Sequence, residues 1–301
     1  MVDSLPCLLV MRKLVRPLEQ TEAEVAKLTT RLQSADDMDT VLLQGLAVLG
    51  LSYLETGLAD CLRYYLQHFP QKLKAEELKF TKDVFIQEQF ELLEHAIDNF
   101  LQNAAYKNFE DYLGLATDVL SIQAAIPAAT LSSMREFRAR RNLLLHAALE
   151  VNDRYLASAG PLENPPRRGA RLDMKRDYVV KALGAVADLL ATIRTTLEVK
   201  YQSYTKIRAA RELWAFLFQS PVMRFEDFWH LDEAKDKIFA YKKVEHESAL
   251  SGTEQLMLAL WRSHFGGRDQ IVQGFHMRRF DDTRRTKVLY FLMWASDFDF
   301  D

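Results

Sequence analysis

Glycine and proline are scarce, at 11 and 8 of 301 residues, roughly half their usual combined share of about 12%. No Asn-Gly, Asp-Gly or Pro-Gly pair separates alternating strands, so the turn chemistry of a β-hairpin protein is missing. An all-α fold is predicted. Cysteine is nearly absent: Cys7 and Cys61 lie far apart, which excludes a disulfide framework and a zinc knuckle and fits a reducing compartment. Charge of one sign is lacking too, with 39 Lys+Arg against 42 Asp+Glu and a net charge of −3. A chain with that balance does not coat nucleic acid by bulk charge, so a nucleic-acid site on it has to be local. Long hydrophobic runs are missing: the longest uncharged stretches, 40–54 and 119–134, are shorter than a bilayer span, and Pro127 breaks the second. Asp3 precedes the first short apolar run and Arg12-Lys13 follow it, the reverse of a secretory signal. A cytoplasmic protein with no membrane association is expected.

What is present is hydrophobic periodicity. Residues 21–32 read as a charged, mostly solvated helix. Asp39 caps a long apolar helix through Leu42, Leu46, Leu49, Leu54 and Leu58 that Phe69-Pro70 ends. Between Pro70 and Gly114 no breaker occurs, and Phe80, Val84, Phe85, Phe90, Leu93, Ile97 and Phe100 follow a helical spacing, so one long helix is predicted there, then a shorter one over 110–122. Pro127 opens a helix expected to run unbroken to about Ala159, because proline is tolerated in a first turn and not inside. The segment 161–169, with Pro165-Pro166, reads as a loop, and a last long helix follows over about 171–200. Four long helices between residues 38 and 200 suffice for a bundle. The predicted organisation is a helical bundle with an N-terminal extension over 1–204 and a small helical subdomain over 205–301. That subdomain carries all four tryptophans (Trp214, Trp229, Trp261, Trp294), breaks at Pro221 and Gly266-Gly267, and a capping box at 251–254. The tryptophans read as core anchors, with base stacking as an alternative for Trp229 and Trp261, and 297–301 as a frayed tail.

One constellation carries chemistry. The chain holds four Arg-x(4–6)-His pairs, Arg63/His68, Arg140/His146, Arg141/His146 and Arg224/His230, and only Arg141 is followed by asparagine. The fuller pattern Arg-Asn-x3-His is expected by chance in roughly one or two chains per hundred. Asn142 and His146, four apart, share a helix face, with Arg135 and Arg138 above them and Asp153 below in the predicted unbroken helix. Leu143, Leu144, Ala147, Ala148 and Val151 around them are apolar, and a polar stripe across such a helix needs partners or a use.

These residue types suit phosphodiester cleavage in RNA. Histidine, with an ordinary pKa near 6.5, moves protons in both directions at neutral pH, and an arginine fork matches a phosphate and the charge that grows on it. Asparagine is left to orient the ring or the substrate. The set requires no metal and no cofactor. Residues 135–176 carry ten basic and five acidic side chains, a local field for a phosphate backbone, with Arg135, Arg138 and Arg140 as substrate-binding candidates. The alternative reading of the same stripe is a satisfied polar cluster between helices, in a chain that serves as an interaction module. The other six histidines show no metal-ligand spacing.

On Arg141-Asn142-x3-His146, flanked by Val151-Asn152-x2-Tyr155-Leu156, the chain resembles the HEPN superfamily of helical ribonucleases, common in bacterial toxin–antitoxin, abortive-infection and CRISPR-linked defence systems. The resemblance covers residues 38–200 as a bundle. It implies a metal-independent endoribonuclease that leaves a 2′,3′-cyclic phosphate, acting as a homodimer with the two motifs facing each other, and restrained by an antitoxin or inhibitor protein. Carried over by position, Arg141 stabilises the phosphorane, His146 is the acid/base and Asn142 the orienting group. An acidic residue on a preceding helix often supports such a site, for which Glu55 is the candidate, and Tyr155 is a second supporting residue. Ala147-Ala148 after His146 departs from the His-x-Tyr extension that antitoxin nucleotidyltransferases modify, which puts that route of regulation in doubt.

Overall fold

A computed structural model describes residues 6–34, 39–81, 84–85, 91–162 and 164–218. Among them are eight α-helices: α1 (Met11–Ser34), α2 (Thr40–His68), α3 (Leu92–Ala105), α4 (Phe109–Val119), α5 (Ala128–Ala147), α6 (Asp153–Ala159), α7 (Arg176–Tyr201) and α8 (Lys206–Phe218). No strand occurs among the described residues, only an isolated bridge between Glu150 and Arg171, and the chain is all-α there. It divides into two compact units, Met11–Ser203 and a second that joins Met1–Val10 to Tyr204–Asp301. The predicted features beyond residue 218, namely Pro221, Trp229, the capping box at 251–254, Trp261, Gly266-Gly267, Trp294 and the 297–301 tail, lie outside the described residues. In the second unit α8 buries Ala209, Ala210, Leu213 and Trp214.

The first unit is built on α2. Asp39 accepts from the Val41 amide at 3.1 Å and starts the helix, and Phe69 ahead of Pro70 ends it. By length and composition α2 is the described helix apolar enough to cross a membrane. The uncharged stretch 40–54 alone is too short, and the full 29 residues reach that length because only Glu55, Asp60 and Arg63 interrupt them. In the structure α2 packs against α1, α3, α4, α5 and α7, and Leu51, Leu54, Leu58, Leu62 and Leu66 are buried.

The helix expected over 21–32 differs in length and in environment. It starts at Met11, carries Pro17 inside, and buries Leu14, Leu18, Thr21, Val25, Leu28 and Leu32. Those positions alternate steps of four and three, the spacing of a continuous apolar seam. A start at Thr21 leaves out Leu14 and Leu18, the first two positions of the seam. Close approach of α1 to α2 is set at Gly57, where a Cβ would collide with Thr21 Oγ1, itself bonded to the Pro17 carbonyl at 2.8 Å.

Buried deep in α2, the Cys61 thiol has its pKa pushed up to about 12 by desolvation first and the charge of Asp60 second. Thiolate is the reactive form. Native protein is therefore expected to present one reactive thiol, the half-buried Cys7, and a second only in denaturant, as counted by alkylation and mass spectrometry. Two thiols labelled at equal rates under native conditions would contradict that burial.

Two predicted long helices are broken. The stretch 70–114 contains a 3₁₀ turn at Pro70–Lys72, then α3, then a link over 106–108 that Asn108 closes by capping α4, accepting from the Asp111 amide at 2.9 Å. The helix predicted to run from Pro127 to about Ala159 stops at Ala147. Ala148 and Leu149 take positive φ, 46° and 67°, a region that L-residues seldom occupy without support. The support is tertiary: Leu172 donates to Leu149, Val151 to Ala170 and Gly169 to Val151, at 2.8–2.9 Å. Asn152 then caps α6, accepting from the Tyr155 amide at 2.9 Å. Leu149 and Val151 gain burial from the turn, and Val151 joins Ala139, Leu143, Tyr155 and Ala159 in one apolar cluster. Asp153, placed by the continuous-helix reading below His146, instead begins α6 and pairs with Arg168 at the surface, 3.0 Å.

Candidate functional site

The charged face of α5 distributes its arginines to different neighbours. Met134, Phe137, Ala139 and Leu143 bury the helix's inner side. Arg141 turns toward α2, where its Nη2 donates to both carboxylate oxygens of Glu55, at 2.7 and 2.9 Å. Arg138, one turn back and displaced by about 60°, reaches the same carboxylate through Nε at 3.2 Å. Its other two nitrogens donate to the carbonyls of Lys107 and Ala105, at 2.8 and 2.9 Å. Glu55 thus holds two guanidinium groups from α5, and Arg138 ties both to the α3–α4 link. The Nε of Arg141 is buried and has no hydrogen-bond partner among the described residues, a cost the fold carries at this one guanidinium.

Arg140, expected beside Arg138 as a substrate ligand, faces elsewhere. A step of one residue turns a helix by about 100°. That rotation carries Arg140 to Glu136 (Nε to Oε1, 2.7 Å), to the Asp173 carbonyl (2.9 Å) and over the Tyr178 ring, 3.9 Å from its centroid. Glu136 also accepts from the Tyr155 hydroxyl at 2.7 Å and from the Tyr178 hydroxyl at 2.5 Å. This hub joins α5, α6 and α7. Burial first, then Glu136, push both tyrosine pKa values above the ordinary value near 10, and burial ahead of the Glu55 charge does the same for Tyr112.

A cleft of about 710 Å³ opens beside this arrangement, with α5 along it, the α3–α4 link on one side and the first turn of α6 on another. Arg141, Asn142 and His146 all line it, with Glu55, Arg135, Arg138 and Tyr155. His146 stands exposed in the last turn of α5. Neither His146 nor Asn142 makes a side-chain hydrogen bond among the described residues. Five cationic side chains and one carboxylate line the cleft. Three of the five are occupied: Arg138 and Arg141 by Glu55, and Arg135 by an ion pair with Glu110.

The other two cations, Lys107 and Arg154, were not singled out by the sequence, and they have no carboxylate partner among the described residues. Arg154 is one charge of the basic run 135–176, and Lys107 lies between the last periodic position, Phe100, and the helix expected over 110–122, a stretch with no chemical motif of its own. Tyr106, beside Lys107, was missed for the same reason. The signal for that link was available in Asn108-x2-Asp111, a capping pattern.

Arg135 lies across the backbone of Gly160, the residue after α6, whose φ is +76°. A Cβ at Gly160 would fall 2.7 Å from Arg135 Cδ. Gly160→Ala therefore meets both backbone strain and a collision, and is expected to cost about 1–3 kcal/mol of stability. Thermal denaturation of the purified variant checks this, and an unchanged midpoint would show that neither the backbone strain nor the contact with Arg135 costs stability.

Comparison of the chain with protein-family models, with curated proteins and with solved structures found no match.

Proposed function

We propose that this chain is a metal-independent endoribonuclease of the HEPN type, in which Arg141, Asn142 and His146 act on RNA held in the cationic cleft. The observation that carries the reading is that Arg141 and His146 line one cleft while Glu55, from a separate helix, fixes the orientation of Arg141. A carboxylate behind an arginine restrains its fork without consuming it: Nη2 is taken by Glu55 and Nε is buried, and the two Nη1 N–H donors of Arg141 remain for other acceptors. His146, exposed and with no described partner, has the access that a proton-transfer group requires. In the proposed step the ribose 2′-oxygen attacks the adjacent phosphorus as its proton leaves to the base, and the P–O bond to the 5′-oxygen breaks as that oxygen gains a proton. The products are a 2′,3′-cyclic phosphate and a 5′-hydroxyl. Arg141 meets the charge on the phosphorane oxygens. A bundle core over residues 38–200, a homodimer with paired motifs, a cytoplasmic setting, a toxin or defence role and a restraining antitoxin or inhibitor protein belong to the same proposal.

The test is incubation of the purified full chain with single-stranded RNA in excess EDTA, with the product ends identified by mass spectrometry. Cleavage with cyclic phosphate ends supports the reading, and intact RNA over hours at micromolar protein overturns it.

A second reading has its own observation. Arg135, Arg138 and Arg141 all find carboxylates within the chain, as the polar cluster of an interaction module does. That reading expects no cleavage, and a change in assembly state when Arg141 or Asn142 is replaced.

A further inference from the structure

Tyr106 is the most exposed large apolar-bodied side chain described, at 83%, and it stands at the edge of the cleft that holds Arg141 and His146. An aromatic ring left in water usually sits on a loose segment. Here the backbone on both sides is fastened: the Ala105 and Lys107 carbonyls accept from the two terminal nitrogens of Arg138, at 2.9 and 2.8 Å. The Lys107 amide bonds the Ala104 carbonyl at 3.1 Å, and Asn108 begins α4. The ring is therefore displayed on a stapled strut in a cationic cleft that Lys107, its neighbour in sequence, and Arg154 of α6 also line.

We propose that Tyr106 is the base-stacking residue of the site: the face of one unpaired RNA base lies on its ring, while the flanking phosphates meet Lys107 and Arg154. Stacking is available to any base and needs an exposed π-face next to cationic side chains. Both are present, and Lys107 and Arg154 are the cleft cations that no described carboxylate neutralises. A cleft of about 710 Å³ is of the size that takes one or two nucleotide units and not a duplex. The arrangement also connects recognition to chemistry. Arg138 spans the strut and the Glu55 carboxylate that orients Arg141, so a base seated on Tyr106 bears on the residue that would meet its phosphate. This inference rests on the RNA reading of the cleft, and it is tested by binding, not by cleavage.

The experiment uses the full chain carrying His146→Ala, so that RNA stays intact, and a twelve-nucleotide single-stranded RNA with 2-aminopurine placed at successive positions. Binding is followed by anisotropy and stacking by fluorescence quenching. Tyr106→Ala is expected to weaken binding by roughly 5- to 150-fold and to abolish quenching at one position, while Tyr106→Trp keeps both. An oligonucleotide lacking the base at that position is expected to bind with and without Tyr106→Ala equally. At 83% exposure the ring supports no packing, and circular dichroism confirms the fold of each variant. Equal affinity of Tyr106→Ala for the intact oligonucleotide overturns the proposal, whether or not the chain cuts RNA. Tyr106-dependent binding without cleavage in EDTA upholds it and removes the ribonuclease reading instead. Absence of RNA binding in the parent overturns both, and leaves the exposed ring to a protein partner.

Discussion

His146→Ala is expected to lower cleavage of single-stranded RNA by about 10²- to 10⁴-fold while leaving the thermal midpoint unchanged. The first half follows from what a positioned acid/base contributes to a proton-coupled displacement. The second half follows from the site: His146 is exposed, with no side-chain hydrogen bond among the described residues, and substitutions of that kind usually move stability by no more than about 0.5 kcal/mol. The two halves together separate chemistry from folding. Arg141 has no such separation, because Arg141→Ala removes a partner of a half-buried carboxylate as well as the phosphate ligand. Arg141→Lys is the sharper variant, since it keeps the charge beside Glu55 and loses the planar fork. Activity undiminished in His146→Ala, with the fold intact, would remove the histidine from the mechanism and the assignment with it.

Glu136→Leu is expected to cost about 3–5 kcal/mol and to lower the melting temperature of the helical unit by roughly 10 °C. Glu136 is an acceptor shared by Arg140, Tyr155 and Tyr178 and the one carboxylate paired with Arg140 among the described residues, and its side chain and that of Arg140 are only 12% and 16% exposed. Removing the carboxylate leaves a guanidinium charge uncompensated over the Tyr178 ring. The loss is a penalty on Arg140 more than a measure of the bond, so Arg140→Met added to Glu136→Leu is expected to restore much of the stability. A double variant as unstable as the single one would show that the tyrosine hydroxyls carry the effect. The same hub sets an alkaline limit. Tyr155 and Tyr178 have folded pKa values raised above the ordinary value near 10, by burial first and Glu136 second. The neutral phenols therefore contribute stability in full below pH 10, and it is lost as pH rises through the raised values. Ultraviolet titration is expected to show these phenols ionising only with alkaline unfolding.

How much of this the sequence disclosed depends on which interaction ended each element. α2 was legible at both ends because Asp39 and Pro70 act locally. The start of α5 was legible for the same reason, with Pro127 at its cap. Its end was not, because no breaker stands there. Ala148 and Leu149 adopt left-handed backbone under the pull of 169–172, some twenty residues on, and only Asn152-Asp153 marks the restart. Glu55 was chosen for its type and its helix, and it meets Arg141. Arg140 was grouped with Arg138 and Arg141 by adjacency, although helical rotation already separates neighbours by about 100°. Tyr106, Lys107 and Arg154 are not legible in the sequence, because a cleft is a property of packed elements and the link at 106–108 that presents two of them falls between predicted helices.

The character of α2 has a consequence for the chain as it is made. The helix is long and apolar enough to enter a bilayer, and what covers it includes α7, which begins at Arg176. At ordinary elongation rates that partner emerges roughly 5–20 s after α2 has left the ribosome. For that interval the apolar faces later buried by α7 stand open to the machinery that sorts nascent hydrophobic segments. Glu55 lies midway along the helix, and an ionised carboxylate near the centre of a candidate span disfavours insertion. In the folded chain that same carboxylate is bound by Arg138 and Arg141, so the one acid at the middle of the apolar helix is also the point at which α5 is held to it.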